Sequence, residues 1–237
     1  WLGQATAQER VVPAGADRLP FEELDRIRAG SKLARPEVLC ERIQKDFLRL
    51  EGTLASPDEK TWVPAREAWL RSILTLGPEG IEAWRRRYDD EARSCSLAAF
   101  EARDPAAHAE VRRRYFLSSA ADESIDWLAR WRIDRGEFEA AAVLLAELDP
   151  GRTDGGLAHP DPDVPLARIL ARLAVCRREL GDAEGLRSVL DRLRTMDRTA
   201  LPEDAARRLA AYLARPRATA APRAVPRDAP RRRGALP

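Results

Sequence analysis

The spacing of apolar residues limits what this chain can fold into. From residue 37 onward, apolar side chains recur every three or four residues and not every second one, which is the period of helices. Glycine and proline residues divide this pattern into units of twelve to twenty-five residues. In the longest unit one helix face carries Ile81, Trp84, Tyr88, Cys95 and Ala99. The sequence therefore predicts an all-α fold.

Capping residues and turn residues indicate where these helices begin and end. Pro36 and Pro64 suit first turns, and Asp104 followed by Pro105 predicts a cap and then a first-turn proline. Gly136 and Gly181 each stand between two apolar helical patterns, so each predicts a helical hairpin. The turn-rich residues 149–165 predict a long loop between the two hairpins.

Composition excludes several classes of protein. Of 237 residues, 44% are hydrophobic and 34% charged, and no run approaches the roughly eighteen apolar residues that a membrane span requires. The three cysteines, Cys40, Cys95 and Cys176, are too far apart for a CxxC pair. With only two histidines, His108 and His159, metal cages and triads are nearly excluded. We therefore predict no enzyme activity, no catalytic residue, no cofactor and no metal site.

Two groups of residues resemble a metal site and a pair of catalytic nucleophiles, but both have simpler interpretations. The segment from His159 to Asp163 holds three potential cation ligands, yet its two prolines impose an extended backbone that separates the carboxylates. We interpret this segment as a turn and helix cap. Cys40 and Cys176 lie in apolar helical stripes, so we expect buried structural thiols and not nucleophiles.

Charge is distributed unevenly along the chain. Lys and Arg number 41 against 39 Asp and Glu, but residues 215–237 carry seven arginines and one aspartate. The remaining body is slightly acidic, which argues against nucleic acid binding. Residues 215–237 are also rich in proline and alanine, so we predict a disordered tail or linker.

The N-terminal residues predict a second flexible segment. Proline and glycine interrupt residues 1–35, and we expect the helical-repeat domain to occupy residues 36–214. Ala5 and Ala7 are spaced as the small residues before a signal-peptidase cleavage site, so residues 1–7 are interpreted as a signal-peptide remnant. An ordinary flexible N-terminus is the alternative.

The stretch ADESIDWLARWRIDRGEFEAAAVLLAELDP, from Ala121 to Pro150, resembles a tetratricopeptide repeat. Small Ala129 and Ala141 would let its two helices approach closely, and Gly136 would accept the left-handed backbone that ends the first helix. Residues 166–196 are a weaker copy, whose turn lies 45 residues later against roughly 34 in that repeat type. The predicted fold is a tetratricopeptide-like array of helical hairpins, a short α-solenoid with disordered termini.

A wider resemblance covers residues 61–196. The segments TWVPAREAWLRSILTLGPEGIEAWRRRYDDEA and HPDPDVPLARILARL, with the stretch between them, are similar to the N-terminal helical region of large bacterial envelope proteins. In those proteins a β-propeller of the quinone-cofactor (PQQ) type follows. The resemblance implies export and an interaction or spacer role. It transfers no quinone site, because no blade repeat is present here.

Counting back from the turn glycines predicts a shared surface. Trp127 and Arg172 both lie nine residues before their glycine, and the first helices of such hairpins line the concave side in resembling repeats. Trp127, Arg130, Arg168 and Arg172 would then form a clamp for a peptide carboxylate or an acidic segment. Solvated arginines and a tryptophan that fills the hairpin interface are the alternative.

The expected function is a non-catalytic protein-protein interaction or spacer module of an exported envelope protein, periplasmic or envelope-associated. Its partner would be a protein or peptide on the concave surface, with a possible β-propeller downstream. The alternative is a cytoplasmic helical-repeat adaptor whose basic tail contacts an anionic partner.

Overall fold

The computed structural model of the protein describes residues 36–45, 54–55, 63–197 and 200–216, and these residues are almost entirely helical. Their nine helices are α1 (Pro36–Lys45), α2 (Ala65–Thr75), α3 (Pro78–Ala102), α4 (Pro105–Tyr115), α5 (Ala121–Asp134), α6 (Phe138–Glu147), α7 (Leu166–Leu180), α8 (Ala183–Thr195) and α9 (Glu203–Ala214). The all-α prediction is confirmed. The predictions for residues 1–35 and 217–237, and for the end of the first helix beyond Lys45, fall outside the described residues.

One short antiparallel ladder was not predicted. It pairs β1 (Leu54–Ala55) with β2 (Val63–Pro64), which directly precedes α2. Two residues per strand are too few to leave an alternating pattern in the sequence, so the ladder could not be recognised there.

The cap predicted at Asp104 forms as expected, and a second cap forms at Asp182. The carboxylate of Asp104 accepts a hydrogen bond of 2.8 Å from the Ala106 N–H, and Pro105 is the first residue of α4. At α8 the carboxylate of Asp182 accepts an equivalent bond of 2.8 Å from the Gly185 N–H. These bonds satisfy N–H groups that the first turn of a helix leaves unpaired.

The helices pack in a regular order. From α1 to α8 each helix contacts the next one along the chain, and odd-numbered helices also contact one another in succession, from α1 through α3, α5 and α7 to α9. One continuous cluster of buried apolar residues runs from Leu39 in α1 to Val189 in α8.

Three of the described interhelical turns have the same hydrogen bonds. Arg103, Gly136 and Gly181 adopt left-handed backbone conformations with φ of 50°, 73° and 76°. In each turn the N–H of this residue bonds to the carbonyl three residues earlier, and the next N–H bonds to the carbonyl five residues earlier. These bonds satisfy the last carbonyls of α3, α5 and α7. The turns at Gly136 and Gly181 were predicted.

The turn at Arg103 was not predicted, because the residue there is not glycine. It lies 33 residues before Gly136, and the α3–α4 pair is therefore a third hairpin with the same turn. The residues seven positions before the three left-handed residues are small and buried, namely Ser96, Ala129 and Ala174. Small side chains at this position allow the helices to approach closely.

The cysteine predictions are mostly confirmed. Cys40 and Cys176 are fully buried, and burial raises the pKa of the Cys40 thiol to about 12 and that of Cys176 to about 11. Cys95, on the predicted apolar face of its helix, is partly buried and packs against the core, while the adjacent Ser96 is fully buried. The buried face of α3 is therefore shifted by one residue at this point.

The long loop between α6 and α7 forms where it was predicted, and several side chains hold it against the helices. The carboxylate of Asp161 accepts a hydrogen bond of 2.7 Å from Arg85 of α3. Asp149 accepts two hydrogen bonds, of 2.6 and 2.5 Å, from Arg192 of α8. His159 is buried, with Nε2 at 3.1 Å from the carbonyl of Ser118. The loop is therefore a packed part of the fold.

Candidate functional site

The four residues that the sequence grouped line one cleft. Trp127 and Arg130 extend from α5, and Arg168 and Arg172 extend from α7 into the same space of about 630 Å³. Because α5 and α7 contact each other and end in equivalent turns, residues at similar distances from those turns lie beside one another. The remaining lining residues are Phe100, Glu123, Asp126, Asp163, Val164 and Pro165.

A second cleft of about 500 Å³ extends this space. It shares Phe100, Trp127 and Arg130 with the first and continues along α5. Its other lining residues are Arg103, Trp131 and Asp134. We call the two clefts together the α5 groove. Three aromatic side chains therefore line the groove along α5.

The indole of Trp127 belongs to both the interior and the groove. It stacks on the imidazole of His108 in α4, with ring centroids 4.2 Å apart. His108 also forms a T-shaped contact with Phe100, with ring centroids 4.6 Å apart. The indole remains partly exposed. Both predicted roles, packing within the hairpins and lining a surface, therefore apply to this residue.

A buried chain of polar groups supports the aromatic floor. His108 Nδ1 lies 3.1 Å from Ser124 Oγ, which lies 3.0 Å from Ser96 Oγ. Burial lowers the pKa of His108 below its usual value, so the imidazole is neutral at pH 7. The floor under Trp127 therefore carries no charge at that pH.

The arginines of the groove already have acidic partners. Arg172 donates a hydrogen bond to the buried carboxylate of Asp126, and Arg168 Nη1 lies 3.8 Å from the same carboxylate. Arg130 Nε lies 3.9 Å from Asp134 Oδ2 on the following turn of α5. Much of the positive charge is therefore compensated within the groove.

Two carboxylates of the groove lack such partners. Within the described ranges, no cationic side chain pairs with Glu123 or with Asp163, and both residues are exposed. The charged side chains that line the groove nevertheless sum to zero, four carboxylates against four guanidinium groups, and Arg103 also has no ion-pair partner among the described residues. Sequence reasoning missed this balance because it grouped the arginines without locating Asp126, which pairs with two of them.

The wall formed by the loop is held by one buried side chain. Asp122 in the first turn of α5 is fully buried, and its Oδ2 accepts hydrogen bonds from the N–H groups of Asp163 and Val164, at 2.6 and 3.3 Å. Bonds to an ionised carboxylate are stronger than those between neutral groups. Asp122 therefore fixes the position of the loop residues that border the groove.

Comparisons with protein-family models, curated proteins and solved structures gave no match. The interpretation of the groove therefore rests on its own geometry.

In the part of the chain that the structure describes, no group of three or more His, Cys, Asp or Glu side chains is placed to hold a metal ion. No described helix has both the length and the apolar character needed to cross a membrane. In the segment from His159 to Asp163, the histidine contacts Ser118 and Asp161 pairs with Arg85, as described above.

Proposed function

We propose that this chain is a non-catalytic protein interaction module and that the α5 groove is its ligand-binding surface. The observation that carries this proposal is the convergence of Trp127, Arg130, Arg168 and Arg172 on one cleft with an aromatic floor. Tryptophan and arginine are the residue types that most often dominate the binding energy of protein interfaces.

The repeated hairpins support a finer proposal for the architecture. Three turns with the same hydrogen bonds, and successive contacts between odd-numbered helices, favour a short α-solenoid of the tetratricopeptide type. In such arrays one helix of each hairpin lines a continuous surface that accommodates extended peptides. The α5 groove lies between such helices.

The ion pairs within the groove indicate what kind of peptide fits. A clamp for an acidic peptide needs unpaired guanidinium groups, but Asp126 and Asp134 already neutralise the arginines in part. The carboxylates of Glu123 and Asp163 have no ion-pair partner among the described residues, and neither has the guanidinium group of Arg103, so the groove offers unpaired groups of both signs. We therefore propose an extended peptide of mixed charge as the ligand class.

Peptide selection on the intact protein tests this function. A displayed random-peptide library is selected against the full chain, and binders are measured again with Arg130→Glu plus Trp127→Phe. The matched control is Arg187→Glu on α8, an exposed arginine outside the groove. We expect the groove variant to lose at least about tenfold in affinity, since hot-spot residues cost about 2 kcal/mol or more. Equal affinity in all three proteins would contradict the proposal.

For the cellular setting we propose a module of an exported bacterial envelope protein. The support is the resemblance of residues 61–196. The arginine-rich segment 215–237 supports the alternative, a cytoplasmic adaptor with an anionic partner. Fractionation of producing cells distinguishes them, because the first proposal requires the protein in the periplasmic or envelope fraction.

A further inference from the structure

We propose that the peptide ligand of the α5 groove crosses from α5 onto α3 and packs an apolar side chain against Leu97. Leu97 is then a specificity-determining residue, because it selects which residue type the peptide carries at that position. This inference rests on the proposed function and deepens it, since it requires a peptide in the groove and names one of that peptide's residues.

The equivalent turns place Leu97 beside the groove. Leu97 lies six residues before the left-handed Arg103, and Arg130, which lines both clefts, lies six residues before the left-handed Gly136. The helices α3 and α5 contact each other and end in the same hydrogen bonds. Residues at the same distance from these turns therefore occupy corresponding faces of the two helices, and Leu97 lies on the face of α3 that corresponds to the groove face of α5.

Leu97 also continues the aromatic lining of the groove. Phe100 of α3 lines both clefts, and residues three apart on a helix are neighbours on its surface, so Leu97 adjoins Phe100. Leu97 is 58% exposed, more than any other large apolar residue among those that the structure describes. A single exposed leucine is common on protein surfaces and carries no meaning alone. Its position on the groove face, next to a groove ring, is what makes it an apolar contact for a ligand.

The spacing of the helices sets the spacing of the ligand residues. The axes of packed helices are about 8–10 Å apart, and an extended peptide advances about 3.3 Å per residue. A peptide that crosses from α5 to α3 therefore meets Leu97 about three residues away from the residue that contacts Arg130. The ligand class becomes an extended peptide of mixed charge with an apolar residue at this interval.

Peptide selection on a charged variant tests the inference. A displayed random-peptide library is selected in parallel on the full original chain and on its Leu97→Glu variant. We expect peptides from the original protein to share an apolar position, and peptides from Leu97→Glu to carry lysine or arginine there. The matched control is Val143→Glu, which adds the same charge at a similarly exposed apolar residue, 52% exposed, on α6, which lines neither cleft. We expect the control to select the same peptides as the original protein.

Two outcomes of this selection would overturn the inference. One is that Leu97→Glu and the original protein select the same peptides. The other is that Val143→Glu changes the selected residues in the same way as Leu97→Glu, which would show only a general effect of added charge.

The affinity of one peptide selected on the original protein gives a second measurement. We expect Leu97→Glu to weaken binding at least about tenfold and Leu97→Ala about fivefold, because the apolar contact is lost or reduced. Leu97→Met conserves the apolar volume and should stay within about threefold, as should Val143→Glu. Equal affinity for the original protein and for Leu97→Ala would contradict an apolar contact at this position.

The groove variant Arg130→Glu plus Trp127→Phe separates this inference from the proposed function. If the peptide loses affinity for the groove variant but binds Leu97→Glu as well as the original protein, the inference fails while the proposed function stands. If the peptide binds the groove variant and the original protein equally, the proposed function fails. If only Leu97→Glu loses affinity, Leu97 belongs to a separate surface, and the crossing from α5 to α3 is wrong.

Discussion

The imidazole of His108 lies against the indole of Trp127, with the two ring planes inclined by 22°. His108 belongs to α4 and Trp127 to α5, so this stack joins two hairpins beneath the groove. The groove floor therefore includes a titratable residue that is held neutral by burial.

This burial predicts how stability depends on pH. The pKa values of His108 and His159 are lowered by burial, whereas in the unfolded chain they are near 6.5. The contribution of the buried neutral histidines to the free energy of unfolding is fully present above about pH 6.5. It falls as the pH drops below that value, because the unfolded chain binds protons at a higher pH than the folded protein does. The slope is at most about 1.4 kcal/mol per pH unit for each histidine. Urea unfolding at pH 7.5, 6.5 and 5.5 measures it.

The control for this prediction is His108→Gln, which removes one titrating group. We expect its stability to depend less steeply on pH than that of the original protein. Identical slopes in the two proteins would show that His108 does not titrate as described.

Replacing Arg103 by glycine should stabilise the protein. Arg103 adopts φ of 50°, in the left-handed region that costs a residue with a side chain about 1 kcal/mol, and the equivalent residues in the other two turns are glycines. We expect Arg103→Gly to raise the free energy of unfolding by about 1 kcal/mol. Arg93→Gly is the matched control, since the same change at an exposed position inside α3 should lower stability by about 1 kcal/mol. Urea unfolding of both variants decides between these signs.

Asp122→Asn should loosen the loop that borders the groove. The variant loses the charge of a buried acceptor of two backbone N–H groups, which we expect to cost about 2 kcal/mol. Hydrogen exchange at Asp163 and Val164 should become faster. Asp161→Asn in the same loop is the control, because its partner Arg85 and the carboxylate form a more exposed pair worth at most about 1 kcal/mol. A control loss as large as that of Asp122→Asn would contradict the assigned role.

Cysteine alkylation should distinguish the three thiols. Burial raises the pKa of Cys40 to about 12 and of Cys176 to about 11, so neither forms an appreciable amount of thiolate at pH 8. Cys95 is partly exposed. We expect iodoacetamide to modify Cys95 first in the native protein and all three thiols in urea, as measured by mass spectrometry. Rapid native modification of Cys40 or Cys176 would contradict their burial.

The sequence predicted the features that depend on local chemistry. Apolar residues at helical spacing and the cap at Asp104 are short-range signals, and the turns at Gly136 and Gly181 have the residue type that a left-handed backbone favours. Counting residues back from these two glycines was enough to predict that Trp127 and Arg172 lie on the same surface. Position along a helix is preserved wherever neighbouring hairpins end in the same turn.

Features that depend on the partner of a side chain were missed. Sequence spacing placed Arg172 in the groove but could not show that Asp126, 46 residues earlier, already pairs with it. The hairpin that turns at Arg103 was also missed, because an arginine there adopts the left-handed backbone conformation that glycine usually adopts. The pairing of the charges in the groove and the number of equivalent turns therefore emerged only from the folded chain.

The shared turn has a consequence for how such a protein can evolve. Arg103 and Gly136 close their hairpins with the same hydrogen bonds. The 33 residues from 104 to 136 therefore form a unit that begins and ends at equivalent turns. Duplication or deletion of such a segment in the gene would lengthen or shorten the protein by one hairpin without requiring a new kind of junction. The length of the groove is then open to change in whole steps.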